Sequence, residues 1–505
     1  MKAPLHNLSS CRFLVSVALV ALAIRVFRIA HQSLWVDEVL TLIASTSHDG
    51  YSVFVRILHN IHGPLHSFVV FLFQSVSTNT GWMRAPGAIA GTAAVCAVYY
   101  WVRRWIGEST ARITALLLAL SPLHVYYSQE LRNYAFVLCF GVLANVAFER
   151  FHDVHRNRET THMASRFVCY VLAIAAALLS NFSAAFLFAA HTLIWLVRER
   201  FARRGIVRWV AVILVVVVLT SPWIYRVTTY IDVSRLVTPV VPGQIDTTER
   251  LRGATTFTPL AIPYALYTFS AGLTLGPSLR ELHTESPRDV CRDHALAIGL
   301  VALVFGALAL LGIRDARRRH RLFELGVYLL LPIAGTLALG WQNAKAFNVR
   351  YVLVALPAWL VLVSLGLERL RKPFRWVFGG ALATIFAVSL FHLYFTPRYA
   401  REDVRDAVAY IRDHGSTDPC VLAPTVFHVA RYYAPSGMNL MMYFGSGHRD
   451  EQISRVVATC NTLWYIRARA WVDDPDGYLL EHLADTYPKQ QLVEFPGVEL
   501  FRLTR

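Results

Sequence analysis

Residues 33–66 read SLWVDEVLTLIASTSHDGYSVFVRILHNIHGPLH. The stretch follows directly on an apolar run, and it places the adjacent acids Asp37 and Glu38 one short step from a membrane surface. Carboxylates near lipid are costly unless they are paired or used in chemistry. The stretch closes on His62-Gly63-Pro64-Leu65-His66, where an apolar segment of only about a dozen residues, 65–76, begins. Taken alone, the acidic pair reads equally well as an exposed loop or as a functional site. The rest of the chain decides between the two.

Working outward, 55% of the 505 residues are hydrophobic and 16% are charged. A soluble domain carries about a quarter charged residues. Apolar runs recur at 12–30, 85–102, 113–126, 134–148, 167–180, 183–197, 209–225, 294–313, 322–341, 352–367 and 376–394, which predicts about eleven spans of a polytopic α-helical membrane protein. A signal peptide is the alternative for the first run, because Ala21-Leu22-Ala23 could pass for a cleavage site. The apolar stretch continues past it to Ala30, which favours a retained span. The net charge of +16 comes largely from Arg between apolar runs, the pattern of membrane orientation, and no nucleic-acid motif is present. The Lys-poor, Arg-rich basic set suggests a GC-rich bacterial genome.

Two segments, 65–76 and 260–275, are too short or too interrupted by Pro263 and glycines to cross simply. If neither crosses, the five Arg clusters at 103–112, 150–166, 198–208, 314–321 and 369–375 all fall on one side, with the N-terminus. Both are therefore read as interfacial or re-entrant helices; a thirteen-span version has both crossing. With eleven spans, Asp37, Glu38, His62, Arg84, the 128–132 stretch, the long loop 226–293, Lys345, Arg350 and the C-terminal region share the outer face. The loop 226–293 suits a lid or a disordered tether equally well. The polar residues that most need a function thus converge on one surface, open to the outer leaflet.

Residues 1–395 form the membrane domain, with outer loops 31–83 and 226–293, and residues 396–505 a small α/β domain. In the latter, 401–414 reads as an amphipathic helix, 420–422 and 463–466 as buried strands, 478–487 as a helix, and 491–495 with 498–503 as a strand pair around Pro496-Gly497. Cys420 and Cys460 could pair if this domain is extracytoplasmic, leaving Cys291 over. Cys11, Cys96, Cys139 and Cys169 read as packing residues. No CxxC, HExxH or zinc spacing occurs, and no metal ligand set is predicted.

Several short elements, in order, resemble the GT-C fold glycosyltransferases that use polyprenyl-phosphate sugars, in particular the protein O-mannosyltransferase and lipid A aminoarabinose transferase families. They are Ser33-Leu34-Trp35-Val36-Asp37-Glu38 after the first span; His62-Gly63-Pro64-Leu65, similar to a K/H-P-P-L element with Gly63 in place of the first proline; and Arg84-Ala85-Pro86. They continue with Ser121-Pro122 and Tyr127-Ser128-Gln129-Glu130-Leu131-Arg132-Asn133-Tyr134, Arg350-Tyr351 followed by Pro357, and Glu402-Asp403-Val404 with Ala409-Tyr410-Ile411. Each is weak alone; their joint order across nearly the whole chain is fairly specific.

The resemblance implies an inverting glycosyltransferase that moves a hexose or pentose from a polyprenyl-phosphate donor to an acceptor hydroxyl. It would lie in a bacterial inner membrane, with its site and C-terminal domain facing the periplasm. It implies Asp37 as the catalytic base with Glu38 beside it, and no cofactor or metal beyond the preactivated donor. Such chemistry needs a carboxylate to take the acceptor proton and cations to hold the departing phosphate. His62, Arg84, Glu130, Arg132, Lys345, Arg350 and Tyr351 are the candidates for binding donor phosphate and substrate, each Arg having an ordinary reading as a snorkelling residue. The aminoarabinose transferases carry an Arg just after the acidic pair; Val39-Leu40 stands here, which argues against that sugar. The expected partners are the bilayer, the lipid-linked donor and a glycan, lipid or protein acceptor, without nucleic acid. The sequence leaves the sugar, the acceptor and the prenyl length open. Two other classes remain: a flippase of lipid-linked sugars, which would show mid-span charges and paired broken helices, and a non-catalytic membrane scaffold.

Overall fold

The computed structural model describes residues 3–46, 50–59, 62–157, 161–230, 260–341, 347–443, 449–474 and 476–505. Every one of the eleven expected spans coincides with a helix. Among the described residues nine helices are long and apolar enough to cross a membrane. The two remaining are shorter. Ala184–Arg198 has 15 residues, and Glu108–Leu120 has 13 before Ser121-Pro122 interrupts it. Pro122 has no N–H to continue the ladder, and Ser121 instead caps a second helix, Pro122–Ser128, by accepting the His124 N–H. The two ambiguous segments form helices of 11 residues each, Pro64–Gln74 and Ala261–Ala271. At 1.5 Å per residue neither spans about 30 Å of hydrocarbon. A fold of this kind is thus mainly helical, multi-pass and membrane-embedded, with the small sheet domain following the last span.

The 3-10 turn Val349–Ala355 runs into the helix Leu356–Arg369, and this segment is the hub of the bundle, 94% of its apolar window being buried. Its neighbour Ala295–Arg318 approaches it closely. A Cβ on Gly312 would lie 2.0 Å from the Leu362 carbonyl oxygen, and one on Gly366 would lie 1.9 Å from that of Leu308. The two backbones touch at reciprocal glycines, the way small residues let membrane helices pack where lipid removes the hydrophobic drive.

The C-terminal region builds a five-stranded sheet from β1 (Cys420–Leu422), β2 (Asn439–Met441), β3 (Thr462–Arg467), β4 (Lys489–Phe495) and β5 (Val498–Thr504), in the order β2-β1-β3-β5-β4. β1 is parallel to β2 and β3, while β3–β5 and β4–β5 are antiparallel. Gly497, at φ +68°, makes the β4–β5 turn. Cys420 and Cys460 form a disulfide. The helix Val404–His414 presents Val404, Ala407, Val408 and Ile411 inward at helical spacing.

That inward face does not close on the sheet domain alone. One apolar cluster joins Val404, Val408, Val426 and Val429 to Leu34, Val39, Leu42, Val70, Met83 and Leu131 of the outer loops. Tyr433 Oη accepts the Leu34 N–H at 2.9 Å, and Arg405 Nη2 donates to the His31 carbonyl at 3.1 Å. The C-terminal domain and the segment carrying the acidic pair are therefore packed as one body.

Candidate active site

The acidic pair opens a helix. Trp35 is extended, Val36–Ala44 is helical, and both acids lie in its first turn, where the positive end of the helix dipole favours them. Consecutive residues on a helix point about 100° apart, so the two carboxylates have different surroundings. Val39, Leu42 and Glu38 face the core, and Asp37 faces a cavity.

Glu38 is fully buried. Its Oε1 accepts from Arg84 Nε (2.9 Å) and the Leu131 N–H (2.7 Å). Its Oε2 accepts from Arg84 Nη2 (2.7 Å), Arg401 Nη1 (3.3 Å) and the Trp35 N–H (3.3 Å). Burial raises its pKa, but Arg84, Arg401 and the Leu131 amide outweigh that and hold it below the ordinary carboxylate range. Arg84, 1% exposed, donates in addition to the carbonyls of Ile29 (3.0 Å), Gln32 (3.0 Å) and Ser33 (3.1 Å). A guanidinium has five N–H donors, and all five of Arg84 are engaged. The Glu38–Arg84 pair thus ties together the end of the first span, the acidic helix and the 130–132 loop.

Asp37 is 26% exposed and lines a cavity of 540 Å³ shared with Trp35, Tyr127, Glu130 and Arg350. Its Oδ2 lies 3.0 Å from Arg350 Nη1 and 3.6 Å from Arg132 Nη2. Burial raises its pKa, while Arg132, Arg350, His62 and Arg469 together bring it below the usual range, so it is ionised at neutral pH. Arg132 also donates to the Asp37 carbonyl (3.0 Å) and Thr41 Oγ1 (2.9 Å), and its Nη2 meets His62 Nε2 at 3.0 Å. Arg350 lies against Tyr351 and Tyr134 with its Cζ 5.2 and 5.8 Å from the ring centroids.

Glu130 sits on the cavity wall, buried, with Oε1 3.2 Å from Arg401 Nη2. Burial pushes its carboxyl up to about 7, Arg401 opposing and Glu38 adding to the rise. Among the described residues, Glu130 Oε2, Arg132 Nε and Arg350 Nε are buried polar atoms with no hydrogen-bond partner. An acceptor and two guanidinium donors are therefore left open beside Asp37, an arrangement suited to a ligand bearing both phosphate and hydroxyls.

The structure brings together Asp37, Glu38, His62, Arg84, Glu130, Arg132, Arg350 and Tyr351 from five separate segments; Lys345 lies outside the described residues. Sequence reasoning missed Arg401 and Arg469. Arg401 joins Glu38 to Glu130 and lies 5.0 Å over the Tyr126 ring, and Arg469 lies 5.2 Å over Trp35 and pairs with Glu402. A signal existed for the first: it directly precedes the Glu402-Asp403 element already singled out.

A protein-family model described as dolichyl-phosphate-mannose-protein mannosyltransferase matches residues 61–225, which carry His62, Arg84, Glu130 and Arg132. No curated protein sequence matches the chain. Among solved structures, the chain is similar to apo ArnT from Cupriavidus metallidurans, at 13% identity and TM-score 0.57 over 98% of both chains. It is similar to the same protein bound to undecaprenyl phosphate, at 14% identity and TM-score 0.54 over 97% of both. It is also similar to the oligosaccharyltransferase AglB from Archaeoglobus fulgidus, in complex with an inhibitory peptide and a dolichol-phosphate, at 12% identity and TM-score 0.53 over 100% of this chain and 75% of that one. At these identities the likeness shows the fold: the chain has the GT-C architecture, C-terminal domain included.

Proposed function

We propose that this chain is a membrane glycosyltransferase that moves a sugar from a polyprenyl-phosphate donor to an acceptor hydroxyl with inversion. The observation that carries it is the cluster of charge about Asp37: Asp37 and Arg350 line the cavity, Arg132 lies against Asp37, His62 meets Arg132, and the Glu38–Arg84 pair is buried beside them. The similarity of the fold to a protein crystallised with undecaprenyl phosphate supports the donor class.

In this reading Asp37 takes the proton of the acceptor hydroxyl as its oxygen attacks the anomeric carbon. The bond from that carbon to the phosphate oxygen breaks, and the electron pair leaves with the lipid phosphate. A single displacement from the face opposite the phosphate inverts the configuration. Arg132 and Arg350, with His62, hold the phosphate and stabilise the charge it gains. The same two arginines hold Asp37 weakly basic. A bound phosphate draws on their charge and restores basicity to Asp37 when the donor is in place, which couples proton abstraction to donor binding. Guanidinium groups rather than a metal ion meet the phosphate charge. Glu38 and Arg84 position the acidic helix and touch neither substrate.

The Cys420–Cys460 disulfide supports an oxidising compartment for the C-terminal domain, and the Arg clusters support a cytoplasmic opposite face. Together they favour a bacterial plasma membrane with the site facing the periplasm. The test is binding of undecaprenyl phosphate to purified protein. Arg350→Ala and Arg132→Ala should each weaken it by on the order of tenfold or more, as loss of a charge-assisted contact implies. Unchanged affinity in both variants overturns the phosphate assignment.

A further inference from the structure

Two cavities meet on the outer side of the bundle. One is the Asp37 cavity. The other, of 330 Å³, lies between the C-terminal sheet and the segments around Ser278 and Pro397, and the two share Glu402, Arg469 and Trp471 in their walls. Among the described residues, none that lines the second cavity belongs to a membrane-spanning helix, so these residues offer no groove to a prenyl tail.

We propose that this second cavity is the acceptor subsite and that it takes a hydroxyl-rich saccharide. The inference rests on the glycosyltransferase reading for the word acceptor; the saccharide site itself rests on the cavity. Its floor carries paired opposite charges. Arg467 and Glu499 face each other across β3 and β5 and pair at 2.8 Å, Arg280 lies 3.8 Å from Glu499, and Arg469 pairs with Glu402. Arg467 Nε is a buried donor with no partner among the described residues. Alternating guanidinium donors and carboxylate acceptors match the hydroxyls of a sugar ring, and the near balance of charge disfavours a polyanion. Trp471, half-buried and lining both cavities, supplies a flat apolar surface for the C–H face of a sugar.

Arg469 connects this cavity to the chemistry. It holds φ +51°, uncommon for a residue other than glycine, in the chain between β3 and Trp471. Strain of this kind gathers at ligand sites. Its guanidinium lies over the Trp35 ring, two residues from Asp37. A saccharide in the second cavity therefore reaches Asp37 past Glu402 and Arg469 from the side away from the bilayer, while a lipid donor arrives from the membrane side.

The test uses the full chain in nanodiscs, an array of water-soluble bacterial oligosaccharides, and a separate titration with undecaprenyl phosphate. Wild type should hold at least one array glycan. Trp471→Ala should weaken that binding about tenfold or more, the size expected for truncating a Trp anchor, and Trp471→Phe should keep most of it. Arg467→Gln should weaken glycan binding while leaving undecaprenyl phosphate binding unchanged. The proposal is overturned if wild type holds no glycan, if a peptide library is held in this cavity instead, or if neither Trp471→Ala nor Arg467→Gln lowers glycan affinity. Lipid binding without glycan binding removes the acceptor subsite and leaves the transferase reading standing. Glycan binding without lipid binding does the reverse.

Discussion

Breaking the Glu38–Arg84 pair separates a positioning acid from a chemical one. Among the described residues, Arg84→Met leaves the buried Glu38 carboxylate with Arg401, at 3.3 Å, as its only charged partner, and it removes the donors to the carbonyls of Ile29, Gln32 and Ser33. Removing one partner of a buried pair costs about 3–5 kcal/mol, a large share of a net stability of roughly 5–15 kcal/mol. Glu38→Gln leaves Arg84 buried without its counter-charge and should cost a similar amount. In the double variant neither charge is stranded, so its cost should fall short of the sum of the singles by at least about 1 kcal/mol, the coupling seen between contacting buried residues. Asp37→Asn, at a position 26% exposed to the cavity, should cost under about 1 kcal/mol. Activity alone does not distinguish these variants, because Glu38 also holds the Leu131 amide and through it the loop bearing Glu130 and Arg132. The assay is therefore reversible unfolding in mixed micelles followed by Trp fluorescence. Additive costs, or single variants that each lose less than Asp37→Asn, would refute the division of roles.

Three further outcomes follow from the same geometry. Glu130 binds a proton more tightly folded, at about 7, than unfolded, near the ordinary 4.5. Its contribution to stability is therefore greatest below pH 4.5 and declines as pH rises through about 7, and Glu130→Gln should flatten that decline in thermal unfolding measured from pH 5 to 8. Gly366→Leu forces a side chain into the space 1.9 Å from the Leu308 carbonyl oxygen and should lower folded yield in detergent gel filtration far more than the same change at Gly379, where a Cβ meets nothing within 4 Å. Reducing Cys420–Cys460, which closes a separation of 40 residues, should destabilise the C-terminal domain by about 3–4 kcal/mol. Limited proteolysis with and without reductant reads this as earlier cleavage between β1 and β3.

The spans were legible because apolar length and Arg placement are one-dimensional signals, and even the shortness of Pro64–Gln74 and Ala261–Ala271 could be counted from the chain. The Asp37–Glu38 pair was legible as a candidate site for a related reason: adjacent acids beside a span are conspicuous. Which acid faces the cavity was not legible, because it depends on the rotation of Val36–Ala44 about its axis, and that is set by Val39 and Leu42 packing on a distant part of the chain. Arg84 read as a candidate phosphate ligand because a cation after a polar loop looks available. Only the fold brings it the three carbonyls and the carboxylate that occupy all five donors. Arg401 approaches Glu38 across 363 positions of sequence, beyond the reach of any spacing argument. The strand Asn439–Met441 escaped notice because it has three residues, one of them Asn, and depends on β1 for its ladder.

The most direct measurement of the central claim is sugar transfer from a labelled polyprenyl-phosphate sugar in membranes carrying wild type or Asp37→Asn, with donor binding and gel filtration measured in parallel. The account predicts that Asp37→Asn stays folded, binds donor and transfers nothing. Transfer at the wild-type rate by a folded Asp37→Asn protein would contradict it.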